Sequence, residues 1–354
     1  MNGKFIFKFL NSFSSVNPNL MYTVKMVRIL FIHLLFCMLL SGCGQIPKAP
    51  PTETPIPPTA LVATKTSSIT ITATITLSPT TTQTPTPMSS PTPVTLAAVA
   101  DIAICGQESD DQTAALISDW NADIIIAGDA NNEDGTLWQY QNCFQPSWGQ
   151  YLSRIHPVAG NHDYYNDPIG NYYFYFGERA GEPDKGYYSF DLGDWHIVGL
   201  NSNCGFLPCG PSSDQVAWLK EDLSKTQKEC TLAFWHVPRW NSGPAKHANW
   251  VQSFWDVLYD AGADVVVNGH DHHYERTGKI DAKGLPDKQN GIVEFIVGTG
   301  GAGHYYLETP FPFSEKMIFG EFGVLKLVLE PQSYLWQFIN IEGEVLDEGK
   351  NVCH

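Results

Sequence analysis

The run VVVNGHDHHYERTG, residues 265–278, decides the fold. Three consecutive valines, 265 to 267, read as a strand buried on both faces, as in a sheet covered by other layers. His270, Asp271, His272 and His273 follow at once, and such groups are costly to bury unless something binds them. Four other apolar runs end the same way. TLAAVA stops at Asp101, ADIIIAG at Asp129, IHPVAG at Asn161-His162-Asp163, and TLAFW at His236. A single aspartate at a strand end is ordinary turn chemistry. Five strands ending in metal-binding or proton-moving groups point instead to one site, at the carboxyl ends of strands where open α/β sheets carry theirs.

The rest of the body fits that frame. Helical patterns lie at 110–120, 212–225 and 248–262, and further strands at 186–192, 195–202, 293–301, 324–331 and 335–341. Apolar strands alternating with amphipathic helices define an α/β protein, and the later strand-rich stretch suggests a second sheet packed on the first.

Oxygen and imidazole donors without thiolates suit Fe, Mn, Zn or Co. His270 and His272, at i and i+2, can serve two adjacent ions with one carboxylate bridging them. A two-metal centre clamps the attacking and leaving oxygens of a displacement, which suits phosphoester hydrolysis.

The ordered series Asp101, GD (Asp129), GNHD (161–163), His236 and GHDH (269–272) resembles the calcineurin-like metallophosphoesterase family. GHDHHYER is similar to the GHxHxYER run of its purple-acid-phosphatase branch, HVPRWNS (236–242) to its HxPxYNS run, and VGTGG (297–301) to a strand and loop found there. The resemblance implies a four-layer αββα sandwich of two mixed β-sheets flanked by helices. It also implies two metal ions, Fe, Mn or Zn. Asp101, Asp129 and His272 would hold the first. Asp129 would bridge to the second, completed by Asn161, His236 and His270. A hydroxide between the metals would attack phosphorus while His162 stabilises or protonates the leaving oxygen, with Asp163 orienting His162 through its far nitrogen.

The chain departs from the pattern at two places. Asn132 stands where purple acid phosphatases carry a tyrosine that binds Fe(III), and Ala103 where other members carry a histidine. Asn132 or water would fill the gap, and the purple colour is expected to be absent. His247 and Arg276 are further candidates, as an extra proton donor and a phosphate contact, each against a plain structural reading. His273 reads as structural, residues 298–303 as close backbone packing, and NYYFYFG (171–177) as buried aromatics. Substrate choice falls to loops such as 164–186 and 302–320.

Composition places the chain. Residues 1–100 hold six of the 21 basic residues and one of the 37 acidic ones, leaving a net charge of −21 beyond them. A body so acidic disfavours nucleic acid and anionic membrane surfaces. Lys25 and Arg28 precede ILFIHLLFCMLL, too short to span a bilayer and laid out like a secretory signal. It ends in Leu40-Ser41-Gly42-Cys43, which resembles a bacterial lipobox and implies lipidation of Cys43. Residues 1–43 are thus expected to be a signal region, with 1–25 a misread start. Residues 44–94 are a Pro/Thr-rich stalk, and 95–354 the catalytic domain. The expected place is outside the cytoplasm, as a membrane-anchored envelope lipoprotein. Six cysteines remain after Cys43. Cys204 and Cys209 flank a short loop and form the natural pair, and Cys105–Cys143 and Cys230–Cys353 would follow by elimination.

The function expected is hydrolysis of phosphate esters, monoesters first, on a phosphorylated small molecule or nucleotide. The alternatives are a phosphodiesterase or nucleotidase on the same fold, and a catalytically impaired, envelope-tethered binding module.

Overall fold

The computed structural model describes residues 92–167, 169–245 and 248–354. The expected signal region, Cys43, the stalk up to residue 91 and His247 lie outside the described residues. The strands are β1 (Val94–Val99), β2 (Asp123–Ala127), β3 (Ile155–Val158), β4 (Tyr188–Leu192), β5 (Trp195–Gly199), β6 (Cys230–Phe234), β7 (Val265–Asn268), β8 (Tyr274–Thr277), β9 (Val293–Val297), β10 (Ser314–Ile318), β11 (Gly323–Glu330), β12 (Ser333–Asn340) and β13 (Val345–Val352). The main helices are α1 (Ser109–Leu116), α2 (Gly170–Phe176), α3 (Asp214–Lys225) and α4 (Gln252–Asp260), with further helical turns over 137–154.

Two mixed sheets result. One runs β13-β12-β11-β1-β2-β3, the other β10-β8-β9-β7-β6-β5-β4. β1, β2 and β3 are parallel, as are β5, β6, β7 and β9; the flanking strands are antiparallel. The later strand-rich stretch does not make a sheet of its own. β11 pairs with β1 and returns the chain to the first sheet.

Side-chain alternation builds the layers. Leu96, Ala98 and Ile125 of the first sheet meet Val265, Val267, Leu232 and Phe234 of the second in one central core. The intervening residues face outward and are equally buried. Ala97, Val99, Ile124 and Ile126 lie under the helical turns of 137–154 and α2, and Val266, Ala233 and Val198 under α3 and α4. Continuous apolar runs are therefore required, since both faces of each central strand are covered. Each buried Val, Leu, Ile or Phe side chain among these contributes roughly 1.5–3 kcal/mol relative to exposure. Layer order is helix, sheet, sheet, helix, as expected.

α3 starts where the Ser213 side chain accepts from the Val216 amide, with Asp214 in its first turn and Lys225 in its last, the charge order that the helix dipole favours. The aromatic run NYYFYF forms α2, whose Tyr172, Tyr173 and Phe176 are buried. The disulfides are Cys105–Cys143, Cys204–Cys209 and Cys230–Cys353. No described helix is long and apolar enough to cross a membrane.

Candidate metal centre

β1, β2, β3, β6 and β7 deliver their polar ends to one place. The two sheets meet there because Gly269 has no side chain: a Cβ would lie 2.3 Å from the Ala100 Cβ and 2.7 Å from Asp101 Oδ2. Gly128, with φ +93°, leaves room in the same way for the His236 ring. Asp101, Asp129 and His270 all adopt positive φ, at 57°, 51° and 70°. Such backbone costs of order 1–3 kcal/mol per residue and concentrates where function over-determines it.

One cluster surrounds His236. Its Nδ1 lies 2.9 Å from the Ala127 carbonyl, which fixes the ring and turns Nε2 inward. Around that Nε2 stand Asp129 Oδ2 at 3.1 Å, Asn161 Oδ1 at 3.0 Å and His270 Nδ1 at 3.2 Å. Asn161 is oriented by its Nδ2, which donates to the Tyr165 hydroxyl at 2.8 Å. The second cluster surrounds Asp101. Its Oδ1 lies 3.2 Å from His272 Nε2 and accepts from Asn132 Nδ2 at 3.1 Å, while Oδ2 accepts from the His270 amide at 2.7 Å. Asn132 Nδ2 also donates to Asp129 Oδ2 at 3.1 Å, so its amide spans the two carboxylates.

The donors in this arrangement fit cations. Asp101 and Asp129 are buried, and among the described residues neither is paired with a lysine or arginine. Burial raises the Asp101 pKa, but His272, His236 and His270 outweigh it and bring it to about 2. Burial lowers the His236 pKa, yet Asp129 and Asp101 lift it to about 9. Carboxylate, amide and imidazole lone pairs thus converge on space that a single proton serves poorly and a divalent ion serves well. Asp101, Asp129 and His236 present ligand atoms within 4.8 Å of one another. The groupings of Glu133 with Cys105 and Cys143, and of Asp264 with Cys230 and Cys353, offer no thiolate because their cysteines are oxidised.

His162 stands at the rim. Its amide donates to Asp129 Oδ1 at 2.9 Å, its Nδ1 lies 2.6 Å from the Glu133 carbonyl, and its Nε2 lies 3.9 Å from Asp129 Oδ2. Asp163 does not orient this ring, contrary to expectation; the Glu133 carbonyl does. The Asp163 carboxylate turns inward, accepting from the Gly160 amide at 2.7 Å, the Asp129 amide at 3.2 Å and the Tyr140 hydroxyl. It fixes the backbone of the two loops that carry Asp129 and Asn161. Burial and the neighbouring Asp129 charge push its pKa up to about 7.

Arg276 is not available to a phosphate, which corrects the expectation for it. Its Nε donates to Asp347 at 2.8 Å and its guanidinium to Glu315 at 2.5 Å, with its face over Trp336. His273 is structural, lying 2.8 Å from Glu275 Oε2 and stacked on Phe319. The glycines at 298–301 allow close backbone approach: a Cβ on Gly300 would lie 2.5 Å from the Ala100 carbonyl. Tyr140, Glu133, Tyr165 and Tyr305 are additions that sequence reasoning missed. Tyr165 follows GNHD by two residues and Glu133 follows Asn132, so proximity to the motifs was the available signal.

The chain matches the calcineurin-like phosphoesterase family model over residues 94–274, just over half its length, and belongs to that family. It is 28% identical over 273 residues to "Probable purple acid phosphatase 20" of Arabidopsis thaliana, covering 68% of this chain and 60% of that one. It is 31% identical over 185 residues to purple acid phosphatase 18 of the same plant, covering 46% and 41% respectively. The chain thus spans less than two thirds of either relative. A purple acid phosphatase from yellow lupin (Lupinus luteus) seeds shares the fold, with TM-score 0.63 and 16% identity over 74% of this chain and 54% of that one.

Proposed function

We propose that this chain is a two-metal phosphoesterase acting first on phosphate monoesters. The observation that carries this reading is the pair of donor clusters sharing Asp129. Asp101 and His272, with Asn132 once its amide turns Oδ1 inward, would hold one cation, and Asn161, His236 and His270 the other, with Asp129 between them. Bound cations would supply Lewis acidity and an activated water. The chain's own contribution to the chemistry is His162. Nδ1 donates to the Glu133 carbonyl, so Nε2 has a proton to give only in the imidazolium form. In that form it passes the proton to the departing alcohol oxygen as the P–O bond breaks, leaving the neutral ring. General acid assistance of this kind is worth roughly 10²- to 10⁴-fold.

Support for action outside the cytoplasm comes from the three disulfides, which persist in oxidising compartments. The lipobox reading of Cys43 and the stalk belong to the same proposal. The test is turnover of p-nitrophenyl phosphate by the full chain with each first-row divalent metal, beside metal analysis. Turnover is expected only with metal, and His162→Ala should lower kcat by roughly 100-fold or more. Absence of turnover with every metal, in a folded protein, would sink the reading. Faster cleavage of bis-p-nitrophenyl phosphate would assign a diesterase.

A further inference from the structure

Two tyrosines in the loops left open as specificity elements stand at opposite ends of the donor row. Tyr165 lies against the His162 ring, centroids 4.6 Å apart, beside Asp129. Tyr305 is stacked flat on His272, centroids 4.0 Å apart and planes within 8°, beside Asp101. Both rings are held rather than free. The Tyr165 hydroxyl accepts from Asn161, and the Tyr305 amide donates to the His272 carbonyl at 3.0 Å. Yet Tyr165 is 59% exposed and Tyr305 37%, so each keeps ring surface open to solvent. The next residues, Tyr306 and Leu307, are exposed as well. A rim of fixed, half-open aromatic faces is poor at holding a small polyol and suited to stacking a flat ring.

We infer that Tyr165 and Tyr305 are specificity-determining residues that select phosphate esters whose alcohol carries a planar ring, a nucleoside or an aryl group. Tyr165, beside His162, takes the ring of the departing alcohol. The inference deepens the phosphatase reading and rests on it for the position of the phosphate. Its statement about binding can be tested apart from turnover.

The test compares adenosine 5′-monophosphate with glycerol 1-phosphate, both alkyl esters, so that leaving-group chemistry is matched; phenyl phosphate is the aryl arm. In the metal-loaded full chain, kcat/KM should favour the ring-bearing esters, and the adenosine and phenyl arms separate a nucleoside site from an aryl site. Tyr165→Ala should lower the ring-to-glycerol ratio by about 5- to 100-fold, the usual worth of one stacked ring, while Tyr165→Phe keeps it. Calorimetric binding of the same esters to His162→Ala protein, with and without Tyr165→Ala, should show the same selectivity without turnover. A ratio unchanged by Tyr165→Ala, or lost equally in Tyr165→Phe, overturns the inference and leaves the phosphatase reading intact. Selective binding without hydrolysis in the wild-type chain does the reverse.

Discussion

Asn132 is the residue on which the character of the centre turns. Its amide spans Asp101 and Asp129 at 3.1 Å each, where purple acid phosphatases place a phenol. The atom facing the carboxylates is Nδ2; turned to present Oδ1 to a cation, the amide would be a neutral, weakly polarising ligand, whereas a phenolate selects and colours ferric iron. The iron-loaded chain is therefore expected to lack a visible charge-transfer band, which an absorbance scan checks directly. Asn132→Ala should weaken cation binding on the Asp101 side by about tenfold or more, a loss of the size seen when a supporting group is removed from a metal site. Titration calorimetry would read it as one weakened site beside one unchanged. Equal affinities in wild type and variant would show that Asn132 takes no part.

At the scale of elements, His196 joins three of them. The imidazole of this β5 residue lies 3.0 Å from Asp191 on β4 and 2.8 Å from Asp222 on α3, with Lys228 3.9 Å from Asp191. Burial lowers its pKa, but the two carboxylates outweigh burial and raise it above the ordinary 6.5. A raised histidine pKa stabilises the fold fully below about pH 6.5, and that stabilisation is lost as pH climbs through the folded-state value. His196→Gln should thus cost roughly 1–2 kcal/mol at pH 6, allowing for the exposure of Asp191, and the gap should close by pH 9. Urea unfolding at the two values measures it; a pH-independent difference would refute the ion-pair account. The same elements show what was legible in sequence. β1, β2, β3, β6 and β7 were readable because burial on both faces forces continuous apolar runs, and the groups that follow them have few other reasons to be there. β8 and β13 were not. YERT is polar, though buried in the sheet, and VLDEGKNV is a mostly polar edge strand. α2 was hidden because aromatic residues favour strands locally, and only tertiary packing of Tyr172, Tyr173 and Phe176 makes it a helix. The roles of Asp163 and Glu133 were beyond reach for a related reason. Which carbonyl a histidine nitrogen meets is settled by loop conformation, which no motif records.

For the whole molecule, Cys230–Cys353 ties the tail after β13 to the first residue of β6, across 123 residues of sequence and from one sheet to the other. Removing both sulfurs as Cys230→Ala/Cys353→Ala is expected to cost about 2–4 kcal/mol, or about 5–10 °C in Tm, by calorimetry. An unchanged Tm would mean that the sheets dock firmly without the bond. The strand order carries a last consequence. β1 is central in its sheet and has β11 as one neighbour, with Val94 opposite Leu329. Among the described residues, the first strand must therefore wait for the eleventh of thirteen. Until residues 323–330 are released, β1 has an open edge, and the layer that carries Asp101 and Asp129 lacks half its strands. Contacts so distant in sequence make folding slow. The first sheet therefore cannot be completed while residues up to 323 are still being synthesised, even though every strand of the second has by then emerged.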